Sequence, residues 1–218
     1  MSKMIAAVVV AAALAPGGAR AEVLSPYASA GEQQAAMTDG RVTSEQLVAA
    51  YLQRIERVDR AGPKLNSVIA LNRHALADAR KLDAERKAGK VRGPLHGVAI
   101  LLKDNIESSD GAATTAGSLA LVANVPGRDA PIVKRLTDAG AVILGKTNLS
   151  EWANFRSTRS ISGWSGVGGL VRNPYSLDRT ACGSSSGSGA AVAAGLAAAA
   201  LGTETDGSVI CPAAMNGV

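Results

Sequence analysis

Five consecutive aliphatic residues, Val98 to Leu102, follow Gly97 and end at Lys103. The run is too short for an independent helix, and with no polar residue in it neither face of a strand can meet water. It therefore predicts a strand buried on both faces, which demands covering layers above and below. A second such run, Ala141 to Leu144, follows Gly140. Segments with helical spacing surround these two. Thr43-Ser44-Glu45-Gln46 is a capping-box pattern, and Leu47, Tyr51, Ile55 and Val58 after it predict an amphipathic helix over 44–60. A charged helix is expected over 73–88, stopped by Gly89. Ile132, Val133 and Leu136 place another over 130–139, stopped by Gly140. Ser67 to Leu71 reads as a short strand, 155–189 as mostly loop, Ala190 to Ala199 as a small-residue helix, and Leu201 to Glu204 as the start of another extended segment. Strands alternating with helices argue an α/β fold in which helices cover a parallel or mixed central sheet. The last residues, Asn216-Gly217-Val218, show no cap or terminal helix, so the chain reads as cut, not finished.

Composition narrows the function classes. One Phe, two Trp and three Tyr leave the core to aliphatic side chains, Ala and Gly, and offer no stacking platform for nucleic acid. Residues 1–21 carry a short basic start (Lys3), an apolar run of 11 from Ile5 to Ala15, and the small-x-small site Ala19-Arg20-Ala21. This is the pattern of a secretory signal peptide, too short for a membrane span, and it implies an exported, periplasmic or secreted protein. The alternative is a core helix that begins the chain. Removing Lys3 and Arg20 lowers the net charge from +5 to +3, so nucleic acid is not indicated. Seven basic residues from Arg73 to Arg92 are interleaved with Asp78, Asp83 and Glu85, which reads as a solvated helix face. With His74 and His96 the only histidines, Cys182 and Cys211 the only cysteines and no C-x-x-C, no metal site is supported. An exported chain allows a disulfide between the two cysteines, but spacing does not say whether they meet.

Two motifs compete for attention and fail on context. Gly140 to Thr147 formally matches the phosphate-binding G-x-x-x-x-G-K-[ST] pattern. A working loop of that kind follows a strand, however, whereas here a helix precedes it and the intervening residues are themselves the expected strand. Nucleotide binding through 140–147 is therefore only an alternative reading. Gly183-Ser184-Ser185-Ser186-Gly187 matches the G-x-S-x-G nucleophile elbow around Ser185, but the stretch before it is loop and no histidine follows His96. A flexible Gly/Ser linker is also a poor reading, since an Ala-rich segment and a second Gly/Ser turn follow directly.

A third constellation draws on Lys103, Ser184 and Ser208. A lysine at the mouth of an apolar strand is desolvated, which favours the neutral amine and suits it to act as a base. The plainer alternative is a surface lysine paired with Asp104. Gly183 and Gly187 give the backbone around Ser184 unusual freedom. Gly202-Thr203-Glu204-Thr205-Asp206-Gly207 before Ser208 reads as a tight turn whose successive N–H groups can converge on one oxyanion. Together these features point to a serine nucleophile that works without histidine.

These blocks resemble the amidase signature family. Cys182 to Ser188 resembles its Gly/Ser run, 190–199 its Ala-rich helix, and Gly202 to Pro212 its second Gly/Ser turn. Gly93 to Gly97 with Lys103-Asp104-Asn105 resembles its lysine segment, and Gly145 to Asn148 a further block, which accounts for the false phosphate-loop match. The resemblance is specific over 93–218 and loose over 43–92, and within the family it leans to the peptide amidase branch. It implies an amidase signature fold and an amide hydrolase with a Ser-cisSer-Lys triad. Ser208 would be the nucleophile, Ser184 in a cis peptide the relay, Lys103 the base, and the N–H groups of Thr205 to Ser208 the oxyanion site. It implies no cofactor, and as substrate a peptide or small-molecule amide; the rival within the family is a transamidating subunit. Asp206 and Ile210 depart from the general family pattern, which has Gly and Arg there. A carboxylate at 206 opposes a developing negative charge unless it serves the subgroup. Members of the family are about twice this length. The expectation is accordingly a signal peptide at 1–21, an incomplete domain at 22–218, and a 218-residue chain that is inactive or poorly soluble alone.

Overall fold

The computed structural model describes residues 24–218, so the expected signal peptide lies outside the described residues. The first element, α1 (Ala30–Thr38), falls in a stretch that reads simply as polar from sequence. Its start is a reciprocal cap in which the Ser29 hydroxyl accepts from the Glu32 N–H and the Glu32 carboxylate accepts from the Ser29 N–H. The expected Thr43/Gln46 box opens α2 (Ser44–Arg54), which runs on into a π-helical turn over Ile55–Ala61. Then come β1 (Val68–Leu71), α3 (Ala75–Lys87), β2 (Ala99–Lys103), α4 (Pro131–Asp138) and β3 (Val142–Thr147), each within a few residues of expectation. A two-strand ribbon of β4 (Trp164–Ser165) and β5 (Gly169–Leu170) interrupts the long loop region. The chain ends with α5 (Ser186–Ala193), β6 (Ala199–Leu201) and α6 (Ile210–Asn216).

The sheet order is β1-β3-β2-β6, with β1 antiparallel to β3 and the other pairs parallel. Every residue of β2 and β3 is buried. On one face Ala99, Leu101, Val142 and Leu144 pack with Val48, Tyr51, Ile55, Ala79, Leu82 and Ala191 of the helices. On the other, Leu102 and Ile143 pack with Ile106 and with Val133 of α4. The mixed α/β architecture with helices on both faces is the one expected.

Two sequence expectations need correction. The Ala-rich helix does not span 190–199: α5 runs from Ser186 to Ala193, and Ala199–Leu201 is strand. Glycines that look like helix breakers are there for contact. A Cβ on Gly187 would lie 2.3 Å from the Ser67 carbonyl oxygen, and one on Gly189 would lie 2.8 Å from that of Pro212. The chain also does end in a helix, α6, closed by Gly217 in the left-handed conformation. The strand expected over 141–144 runs on to Thr147, so Gly145-Lys146-Thr147 lies within β3 and forms no phosphate-binding turn. A register shift between β2 and β3 sets Gly145 against Leu101, where a Cβ would lie 2.2 Å from the Ala70 carbonyl oxygen of β1. This bulge turns Lys146 to the Leu102 face, away from the face that Lys103 occupies.

Candidate active site

Strand β2 ends by delivering Lys103 into the interior, where it is fully buried. Its ammonium nitrogen donates to Ser184 Oγ at 2.7 Å, to Thr203 Oγ1 at 2.9 Å and to the Thr203 carbonyl at 3.1 Å. Burial disfavours the charged form and pulls Lys103 down to about 8, while the Glu204 carboxylate pulls it partly back up. The alternative pairing with Asp104 is not made; that carboxylate instead accepts from the N–H and the hydroxyl of Thr115.

Ser184 sits just before α5, buried, on a cis Gly183–Ser184 peptide, and its hydroxyl donates to Ser208 Oγ at 3.0 Å. Lys103, Ser184 and Ser208, distant in sequence, thus form one hydrogen-bonded chain. Ser185, the elbow candidate, serves another purpose. Its hydroxyl donates to the Thr203 carbonyl (3.2 Å) and accepts from the Thr203 N–H (3.2 Å), while its own N–H donates to the Ser208 carbonyl (3.0 Å). It stitches the two serine-bearing loops together and is not part of the cavity beside Ser208.

That cavity, of about 370 Å³, is lined by Gly183, Asp206, Gly207, Asn154 and Phe155 among others. A second, about 660 Å³, adjoins it through Ala153 and is lined by Ile106, Leu121, Trp152, Leu201 and Thr203. Of the backbone donors expected to face an anion, the Gly207 N–H is already taken, donating to Glu204 Oε1 at 3.2 Å. The N–H groups of Thr205, Asp206 and Ser208 have no hydrogen-bond partner among the described residues. Glu204, which no sequence motif singles out, organises the whole turn. It also accepts from the N–H groups of Val209 (2.6 Å) and Ile210 (2.9 Å), and these bonds hold its carboxyl below its ordinary range. The available signal was a carboxylate followed within six residues by Gly-Ser and a helix start, where free N–H groups need an acceptor.

Cys182 and Cys211 form a disulfide with a Cα–Cα distance of 5.9 Å, both lining the Ser208 cavity. The bridge ties the loop before Ser184 to the first turn of α6, just after Ser208. Among the described residues no group of three or more His, Cys, Asp or Glu side chains could hold a metal ion, and no helix is long and apolar enough to cross a membrane.

A buried lysine is thus linked through one serine to a second beside an open cavity, and sequence comparison gives the family. The amidase family model matches residues 46–218, and the chain belongs to that family. A probable amidase of Arabidopsis thaliana is 50% identical over 185 residues, covering 84% of this chain and 36% of that protein. A glutamyl-tRNA(Gln) amidotransferase subunit of Halorhodospira halophila is 45% identical over 188 residues, covering 86% and 37%. Among solved structures, the native peptide amidase of Stenotrophomonas maltophilia superposes with a TM-score of 0.85 at 59% identity, covering 86% of this chain and 38% of that one. The chain therefore spans little more than a third of the length of these relatives.

Proposed function

We propose that the protein is an amide hydrolase with Ser208 as nucleophile, Ser184 as proton relay and Lys103 as base. The observation that carries this reading is the unbroken chain Lys103 Nζ–Ser184 Oγ–Ser208 Oγ, at 2.7 and 3.0 Å, ending at an open cavity. A serine hydroxyl is a weak nucleophile unless its proton leaves as it attacks. Neutral Lys103 accepts the Ser184 proton while Ser184 accepts that of Ser208, and Ser208 Oγ bonds to the amide carbon. The negative charge developing on the carbonyl oxygen is met by the N–H groups of Thr205, Asp206 and Ser208. The same route then runs backwards. Lys103 returns a proton through Ser184 to the amide nitrogen, the C–N bond breaks, and an acyl ester stays on Ser208. Water attacks that ester with its proton taken by the same relay, releasing the acid.

The preferred substrate class is the C-terminal carboxamide of peptides, supported by the 59% identity to a peptide amidase over most of this chain. The second reading is a transamidating subunit, favoured by the 45% identity to the glutamyl-tRNA(Gln) amidotransferase protein. The test is ammonia release from a C-terminally amidated peptide by the full-length gene product. Ser208→Ala is expected to lower turnover by at least about a thousandfold while the protein stays folded; retained turnover overturns the assignment. Release that required a charged tRNA would favour the second reading. We further propose that the protein is exported. The Cys182–Cys211 bridge supports this, because disulfides persist mainly in oxidising compartments. N-terminal sequencing of the mature protein is expected to begin at Glu22, and recovery of an intact Met1 terminus on active protein would sink the export reading.

A further inference from the structure

Among the described residues one charged side chain lines the Ser208 cavity. Asp206 is exposed there, and its carboxylate makes no hydrogen bond or ion pair among the described residues. The other side chains at the wall, among them Asn154, Phe155, Ser162 and Thr205, carry no charge. The cations nearby are committed elsewhere. Lys103 stands behind Ser184 and is not part of the cavity wall. Arg156 pairs with Glu151 at 3.7 Å and lies over the Trp164 ring at 4.9 Å. The second carboxylate of the turn, Glu204, points back at the Gly207, Val209 and Ile210 N–H groups. Among the described residues Asp206 is therefore a negative charge with no compensating partner, two residues from Ser208 and within about 7 Å of chain.

A carbonyl carbon in bonding reach of Ser208 Oγ places its leaving group in the same small space. An amide there is neutral; a carboxylate carries a full negative charge into the field of Asp206. A like charge a few ångströms away in half-solvated surroundings shifts affinity on the order of tenfold or more. We propose that Asp206 is a specificity-determining residue that excludes carboxylates from the Ser208 site, so that uncharged carboxamides bind and the acid product is expelled. This rests on the hydrolase reading and adds to it an explanation for a carboxylate beside an oxyanion site. Its charge opposes a full anion at the reacting carbon, while its backbone N–H remains available to the developing oxyanion. The net effect of such opposed terms is set by which ligand carries its charge outside the N–H cradle.

The test reads binding and not turnover. Calorimetric titration of the full-length gene product in a Ser208→Ala background, where the amide is not consumed, with one peptide as its C-terminal amide and as its free acid is compared for native Asp206, Asp206→Asn and Asp206→Glu. Asn keeps the size and the backbone N–H of Asp206, and Glu keeps the charge. The protein with native Asp206 is expected to prefer the amide by about tenfold or more, a preference that narrows at high salt. Asp206→Asn should bring the two affinities within about threefold and abolish the salt dependence of acid binding, with Asp206→Glu retaining the preference. An unchanged amide-to-acid ratio in Asp206→Asn overturns the inference, as does a protein with native Asp206 that binds acid and amide alike. Absent ammonia release from the protein that keeps Ser208, with the binding preference intact, would fail the hydrolase reading alone, so the two failures are distinguishable.

Discussion

Two lysines lie at the C-terminal ends of adjacent parallel strands, Lys103 last in β2 and Lys146 next to last in β3, and they have different fates. Lys103 on β2 and Lys146 on β3 are both fully buried, and burial holds both below the ordinary lysine range. The bulge at Gly145 sends them to opposite faces of the sheet. Lys146 donates to the Ile106 carbonyl (2.5 Å) and to Thr114 Oγ1 (2.9 Å), anchoring the segment that follows β2. The charges of Asp104, Asp110, Glu107 and Asp129 oppose the effect of its burial. Lys103 meets two hydroxyls, one of which leads through Ser184 to Ser208 and the cavity. Depressed basicity is common to both and so cannot mark a base by itself. Each lysine bonds to a hydroxyl, and Thr114 itself lines the second cavity, but only the Lys103 path continues through Ser184 to a second serine, Ser208, at a cavity wall.

The comparison breaks most visibly at Lys103. Lys103→Ala in the full-length gene product should lower kcat for amide hydrolysis by about 10²- to 10⁴-fold with KM little changed, as expected when a general base is lost. Steady-state ammonia release checks this, and a variant that keeps its kcat would show that the hydroxyl path is idle. Lys146→Ala should act on stability. It removes a long buried side chain and strands a buried carbonyl and a threonine hydroxyl, at a cost of about 3 kcal/mol. A denaturant midpoint unchanged from the native protein would mean that Lys146 is not the anchor described.

Sequence periodicity locates the sheet well because both central strands are buried on two faces, and an unbroken aliphatic run has few other uses. The runs at 98–102 and 141–144 are β2 and β3, each extended by polar residues that no hydropathy pattern would include. The helices near the site are less legible. Serine and glycine at 186–189 carry low helix propensity, and α5 begins there because small residues let it approach Ser67, Asn148 and Pro212, a contact decided by the tertiary fold. The terminal helix α6 is hidden for a related reason. Its first-turn N–H groups are satisfied by Glu204, upstream of the turn, and not by a cap residue at the helix start. At the site, Lys103, Ser184 and Ser208 are legible as oddities in their local contexts. That Ser185 bonds to Thr203, and that Gly207 spends its N–H on Glu204, depends on side-chain rotamers set by the assembled loops.

The smallest effect gives the sharpest discrimination between the two lysines, because it reads a pH and not a rate. If neutral Lys103 is the base, kcat/KM rises with pH while protonated lysine is converted to free amine and levels off above about 8. Thr203 Oγ1 accepts a hydrogen bond from the Lys103 nitrogen at 2.9 Å, an interaction that favours the ammonium form. Thr203→Val keeps the shape of the side chain and removes that acceptor, so the amine is freed at lower pH. The limb should move toward acid by about half a unit to one unit, with a modest change in the plateau rate. Thr114→Val removes the equivalent acceptor from Lys146 and should leave the limb where it was, since no proton of the reaction passes through that nitrogen. A limb that moves with Thr114→Val, or stays put with Thr203→Val, would assign the titration to a group other than Lys103.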